Sequence, residues 1–341
     1  MRLEHLVKFS LCLTLVVIML GAYTRLADAG LGCPDWPGCY GQLLVPQTQE
    51  EVSTANALFP ERAVEQGKAW LEMIHRYFAG SLGIVILVMA ILATNKQDVD
   101  ATIPILLCLL VLGQAALGMW TVTLKLMPSI VMLHLFGGFT LLALQAVFYC
   151  QLKSHSLPPE PVALVSKGVK LLSVFTLGIV TMQILLGGWT SSNYAALMCT
   201  SLPICEGNWQ AHLSWKEAFS FWQTGFDSYE FGVLDYPERM TIHVSHRIGA
   251  MVTAAVVLSY IVVLYQQQFS SAKKIAFWLG FVLLCQIALG ISNVLFQLPI
   301  YVAVAHNLGA ALMLALICVS QFYIWQSHTY QYAQAKGVRY E

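Results

Sequence analysis

Four histidines fall into two pairs of nearly equal spacing: His75 and His134, 59 residues apart, and His246 and His306, 60 apart. Each lies near one end of a stretch long and apolar enough to cross a bilayer. Ionisable groups at membrane depth are costly and usually functional, and imidazole is a common axial ligand of haem iron. His75 and His246 are each followed by arginine, Arg76 and Arg247. Each guanidinium has two readings: pairing with a haem propionate, or snorkelling to the interface and pairing with a loop carboxylate. Three residues before His75, on the same helical face, stands Glu72; the equivalent place before His246 holds His243. A site that only passes electrons needs no carboxylate, whereas chemistry at a carbon atom can use one for proton transfer. The plainer reading of Glu72 is an acid near a helix N-terminus, favoured by the dipole.

The elements that position these groups follow from composition. Of 341 residues, 57% are hydrophobic and 11% charged, against about a quarter charged in soluble domains. The net charge of zero gives no reason to expect nucleic acid as a partner. Eight stretches reach the roughly 20 residues needed to span a bilayer: 8–24, 73–94, 102–123, 128–150, 169–190, 240–265, 273–296 and 299–325. The first also resembles a signal peptide, ending in Ala27-Asp28-Ala29. It recurs at the start of the second half, so a retained helix is expected. With the N-terminus inside, inner segments carry ten Lys and Arg and outer segments six, which places both termini in the cytoplasm.

The chain repeats itself. A shift of 166 residues carries Gly21, Thr24, Leu31, Cys33, Pro37 and Cys39 onto Gly187, Thr190, Leu197, Cys199, Pro203 and Cys205. A shift of 172 carries Gln114, Leu117, Gly118 and His134 onto Gln286, Leu289, Gly290 and His306. An even number of spans per half makes the halves parallel, related by an axis along the membrane normal. The expected fold is an all-α integral membrane protein of eight helices in two parallel four-helix bundles. Residues 1–152 form the first bundle and 169–326 the second; 153–168 is a cytoplasmic linker and 327–341 a cytoplasmic tail.

His134 comes six residues after Pro128 and His306 seven after Pro299, so all four imidazoles sit at one depth toward the outer face. Two helices with imidazoles at one level can clamp a flat macrocycle between them. Zinc fits less well, because no thiolates cluster beside the histidines within the spans. His5, His155, His212 and His328 receive no role. In the outer loops Cys33 and Cys39, and Cys199 and Cys205, are each separated by five residues; paired cysteines on the oxidising side usually form disulfides. They read either as staples over the haem mouths or as a redox-active relay. Cys12, Cys108, Cys150, Cys285 and Cys318 read as packing residues. The aromatic-rich loop from Cys205 to Arg239 and the segment from Gln47 to Trp70 are expected to hold short amphipathic helices at the headgroup level.

Gly21-Ala22-Tyr23-Thr24-Arg25, Gly32-Cys33-Pro34-Asp35-Trp36-Pro37, Glu72-Met73-Ile74-His75-Arg76, His134-Leu135-Phe136-Gly137-Gly138, His243-Val244-Ser245-His246-Arg247 and His306-Asn307-Leu308-Gly309 together resemble the haem A synthase family. The likeness covers nearly the whole chain. It implies a bacterial inner-membrane oxidoreductase that converts the C8 methyl of haem O to a formyl group, giving haem A for terminal cytochrome oxidases. It further implies that His75 and His134 flank the substrate iron with Glu72 beside them, and that His246 and His306 ligate a resident haem b. The partners implied are haem O, delivered laterally or by haem O synthase, an unidentified electron donor and the lipid bilayer; a homo-oligomer is left open. Two other classes fit the residues: a di-haem b cytochrome exchanging electrons with quinone, and a haem or small-molecule transporter of parallel repeats.

Overall fold

A computed structural model of the chain describes residues 3–154 and 165–335, with side chains up to Trp325. Eight helices are long and apolar enough to cross a membrane: α1 Leu3–Leu26, α3 Gln66–Thr94, α4 Thr102–Thr123, α5 Pro128–Ser154, α6 Lys167–Ser192, α8 Tyr236–Tyr265, α9 Ser270–Leu295 and α10 Ile300–Ala335. The short helices α2 (Gln49–Leu58) and α7 (Trp215–Ala218) and a 3₁₀ turn at Trp209–His212 lie in the two long loops. No strand occurs among the described residues. Apolar side chains such as Ile84, Leu112, Leu171, Phe175, Val262, Phe277 and Leu284 point outward. In water that surface would be unfavourable; against lipid it is the solvent-matched face. The protein is an integral membrane protein.

Several helices begin earlier than hydropathy alone suggests. α3 starts at Gln66 rather than 73 and α8 at Tyr236 rather than 240, because polar residues continue the helix beyond its apolar part. Glu72 therefore stands in the second turn and not at the N-terminus, which removes the reading of it as a dipole-favoured end residue. α10 runs to Ala335, past the expected end of the last span. His155, the side chain of His328, most of the linker and the end of the tail lie outside the described residues.

Each helix in the first set touches the same neighbours as its counterpart in the second. α1 packs on α3, α3 on α4, α4 on α5 and α5 on α1; α6 packs on α8, α8 on α9, α9 on α10 and α10 on α6. The sets meet through α5 against α10, α5 against α6 and α1 against α10. An apolar core built from α5, α6, α8, α9 and α10 fills the second set and the seam, including Phe139, Leu142, Val257, Leu279 and Ile317. A smaller one, with Val7, Ile86, Met89, Leu107 and Phe148, fills the first.

The helix ends match as well. After α4, Lys125 and Leu126 take positive φ (48° and 66°), and after α9, Gln297 and Leu298 do the same (57° and 62°). Leu126 N donates to Thr121 O at 2.8 Å and Leu298 N to Asn293 O at 2.7 Å, closing the two C-termini in the same left-handed turn before Pro128 and Pro299. Non-glycine residues rarely adopt this conformation, so its use twice at a 172-residue offset reflects one turn solution. The loop between α1 and α3 contains α2, opened by a capping box in which Thr48 and Glu51 satisfy each other's backbone N–H. The aromatic loop contains two short turns instead of one amphipathic helix. The second, α7, is pinned by Trp189 Nε1, which donates to Ala218 O at 2.8 Å.

Candidate functional site

The long loops gather at the end of the helices that carries the histidines. His75 is the tenth residue of α3 and His246 the eleventh of α8; His134 and His306 are each the seventh of α5 and α10. Each imidazole lies over a glycine of the neighbouring helix. A Cβ at Gly21 would stand 2.8 Å from His75 Cε1, at Gly187 3.1 Å from His246 Cε1, and at Gly118 and Gly290 3.4 Å from the Cε1 atoms of His134 and His306. The glycines bring helix backbones close to the rings, which fixes the level at which the rings sit.

The His75 and His134 ring centroids are 6.4 Å apart, with planes at 87°. A metal–imidazole bond of about 2 Å on each side, plus about 1.2 Å from nitrogen to ring centre, puts two axial imidazoles roughly 6.4 Å apart. Nδ1 of His75, His134 and His306 is buried without a hydrogen-bond partner. Two buried imidazoles at this separation, each with an unpartnered nitrogen, offer the donor atoms that haem iron takes.

Glu72 is 5% exposed. Its Oε1 lies 2.5 Å from Arg76 Nη2 and its Oε2 accepts from Cys33 N at 2.9 Å. Arg76 Nη1 also donates to the carbonyls of Asp35 (3.0 Å), Pro37 (3.2 Å) and Gly38 (2.5 Å). Burying this ion pair is tolerable because extra hydrogen bonds satisfy both partners. The pair also fastens the loop, closed by the Cys33–Cys39 disulfide, onto α3. Arg247 makes the corresponding clamp, donating to the carbonyls of Cys199 (2.8 Å), Ser201 (2.5 Å) and Ile204 in the loop closed by Cys199–Cys205. Both arginines are thus committed to loop backbone, a role beside the two expected from sequence.

The halves diverge where Glu72 gives way to His243. His243 is 3% exposed, its Nε2 has no partner, and it lies against the Cys199–Cys205 sulfurs. A second divergence was missed by the sequence reading. Gln183 Nε2 lies 3.0 Å from His246 Nδ1 and donates to the His246 carbonyl at 3.0 Å. The position 166 residues earlier is Val17. The signal was a polar residue standing where the repeat has an apolar one. Gln286, known from the repeat alone, donates to the His306 carbonyl at 2.8 Å.

The two loops are tied across the seam. Arg25 Nη2 donates to Ser191 O (2.7 Å) and the guanidinium lies 4.2 Å from the Tyr194 ring centre; Tyr194 Oη donates to Asp28 (3.0 Å). Arg62 forms a bidentate pair with Glu230 at 2.7 and 3.0 Å. That pairing lowers the Glu230 carboxyl below its ordinary range and raises Arg62. Burial raises the Tyr194 phenol.

Comparison with known proteins agrees with this arrangement. Residues 4–318 match the family model described as cytochrome oxidase assembly protein, COX15-CtaA. The chain is 48% identical over 325 residues to the haem A synthase of Shewanella oneidensis, covering 95% of this chain and 97% of that one. It is 29% identical to that of Granulibacter bethesdensis, covering 92% and 84%, and 25% identical to that of Halalkalibacterium halodurans, covering 89% and 90%. The family match runs from the start of α1 through the first half of α10, nearly the whole chain, and on that footing this chain belongs to the COX15-CtaA family of cytochrome oxidase assembly proteins.

Proposed function

We propose that this protein is a haem A synthase, a membrane oxidoreductase that converts the C8 methyl of haem O to a formyl group. The observation that carries the reading is 48% identity, over nearly the full length of both chains, to a haem A synthase. In this reading the substrate iron lies between His75 and His134, whose 6.4 Å separation suits it. Residues 1–152 and 169–326 are the two repeats, with 153–168 and 327–341 as linker and tail. Arg25 contacts Ser191, and Asp28 contacts Tyr194. Each is the other's equivalent under the 166-residue shift, as residues lying on a pseudo-two-fold axis must be; this supports an axis along the membrane normal.

His246 and His306 hold haem b, with Gln183 fixing the orientation of the His246 ring. Haem b, when bound, supplies one-electron transfer. Glu72 serves the oxidation as proton acceptor or donor. The Arg76 guanidinium and the Cys33 N–H hold both of its oxygens in place, so proton transfer needs no reorientation of the carboxyl group. Arg76 and Arg247 keep the disulfide-closed loops over the two sites and exclude water. The membrane is the bacterial inner membrane with both termini cytoplasmic. Haem O arrives from the lipid or from haem O synthase, the electron donor is a separate component, and assembly into a homo-oligomer is compatible with the outward apolar faces.

Four similar imidazoles would also suit a di-haem b cytochrome. Membranes containing the protein, supplied with haem O, separate the two by mass analysis of extracted haems. The synthase forms haem A, and His75→Ala and Glu72→Ala abolish it while haem b stays bound. Conversion at the wild-type rate in Glu72→Ala would remove Glu72 from the mechanism. No conversion by the wild type, in membranes that reduce haem b, would favour the cytochrome.

A further inference from the structure

Three of the four imidazoles have a second fastening, one turn further inward than the glycine contact. Gln114 and Gly118 on α4, Gln183 and Gly187 on α6, and Gln286 and Gly290 on α9 stand four residues apart, on one helix face. The glycine of each lies against an imidazole. The glutamine seats on a second glycine, three residues after that same histidine. A Cβ at Gly137, Gly249 or Gly309 would overlap the carboxamide of Gln114, Gln183 or Gln286. Gln183 Nε2 donates to the His246 carbonyl at 3.0 Å and Gln286 Nε2 to the His306 carbonyl at 2.8 Å.

His75 departs from this. Four residues before Gly21 stands Val17, and three after His75 stands Phe78, 41% exposed. Neither side chain has a donor for the His75 carbonyl, and no glycine notch opens at that turn. All four rings share the contact with a glycine, which stops a ring moving toward the neighbouring helix. A carboxamide seated in a notch adds a second restraint. It stops the two helices sliding past each other, by its shape and, at His246 and His306, by a bond to the histidine's own carbonyl. Groups of this kind orient an imidazole ligand and hold it on its metal. The exception is the imidazole beside Glu72.

Resting on the haem A synthase reading, we propose that Gln114, Gln183 and Gln286 are positioning residues that keep His134, His246 and His306 on iron. His75, without such a residue, is the exchangeable ligand of the substrate haem. On exchange the iron–imidazole bond breaks, its electron pair stays on the His75 nitrogen, and an incoming small ligand supplies another. The substrate iron thus opens on the α3 side, the side that carries Glu72. Haem b, between two fastened imidazoles, keeps both, as suits electron transfer alone.

Carbon monoxide binds ferrous haem where an axial position can open, and so reads the difference. Purified full-length protein loaded with haem O is reduced and titrated with carbon monoxide, following the Soret bands of the two haems, with retained haem b as the folding control. In the wild type haem O should take up carbon monoxide and haem b should not. The double variant Val17→Gln/Phe78→Gly copies the second bundle's seat into the first. It should weaken carbon monoxide binding to haem O about tenfold, with haem O still bound. Val17→Gln alone should weaken it about threefold and serves if the double variant does not fold. The converse change, Gln183→Val, should let haem b bind carbon monoxide. Uptake by both haems of the wild type or by neither, equal affinity in the wild type and the loaded double variant, or an inert haem b in Gln183→Val overturns the inference and leaves the functional reading standing. A wild type that takes up no haem O overturns both.

Discussion

A methyl group added at Gly21 tests whether the His75 ring sits where the site requires. A Cβ there would stand 2.8 Å from His75 Cε1, whereas ordinary contact begins at 3.4 Å, so the ring or α1 must retreat by about 0.6 Å. At Gly187 the corresponding figure is 3.1 Å from His246 Cε1, a retreat of about 0.3 Å. At Gly118 and Gly290 the nearest ring atom is already at 3.4 Å, and alanine fits. Overpacking a buried site costs about 1–3 kcal/mol, which is a factor of roughly 5 to 150 in affinity. Gly21→Ala should therefore weaken haem O binding within that range and leave haem b bound. Gly187→Ala should affect only haem b, by about fivefold or less. Gly118→Ala and Gly290→Ala should bind both haems as the wild type does. Soret titration and mass analysis of extracted haems read all four. Unchanged haem O affinity in Gly21→Ala, or loss of haem b from it, would refute the assignment of His75 to a separate substrate site.

Glu72→Gln keeps the acceptor oxygen for Cys33 N–H but removes the charge paired with Arg76; haem A formation should fall roughly 100-fold or more while haem O still binds, measured as kcat against KM. Gln183→Leu removes the polar side chain on His246 Nδ1 and should shift the haem b midpoint potential, with Gln183→Asn restoring part of it; an unchanged potential would leave Gln183 with a packing role. Glu230→Gln should loosen the loop tie to Arg62 and raise protease cleavage between residues 200 and 235 roughly fivefold, for a partly exposed pair worth about 1 kcal/mol. The same tie responds to pH. Glu230 is held below its ordinary value, so its contribution is complete above the unfolded carboxylate value of about 4.3. It disappears as pH falls through the lowered one, and protection that persisted in acid below both values would contradict the assignment.

The spans and the histidine levels were legible because two strong physical rules write them into sequence. Twenty apolar residues have few alternatives to crossing a membrane, and an imidazole interrupting them needs a reason. The matched glycines have a local cause: Gly21 and Gly187 each lie against an imidazole, where a Cβ would crowd the ring. What stayed hidden depends on partners distant in sequence. Arg76 offers a charge to any nearby acceptor, and nothing local shows that Glu72 and three carbonyls of the loop take it. Arg62 and Glu230, 168 residues apart, have no common pattern. Helix starts were placed late at α3 and α8 because hydropathy marks the apolar part of a helix and not its polar first turns. The aromatic loop was expected as an amphipathic helix, but its Trp189–Ala218 anchor holds only a short turn.

The central claim is that two imidazole pairs hold two different haems, one of them the substrate. It is tested most directly by haem content per chain in purified protein, made with and without a supply of haem O. The account predicts one haem b per chain in both cases, lost in His246→Ala, and a second haem, as haem O or its oxidised products, only when haem O is supplied and only with His75 and His134 intact. Protein without Soret absorbance, or one holding two haem b per chain and taking up no haem O, would contradict it.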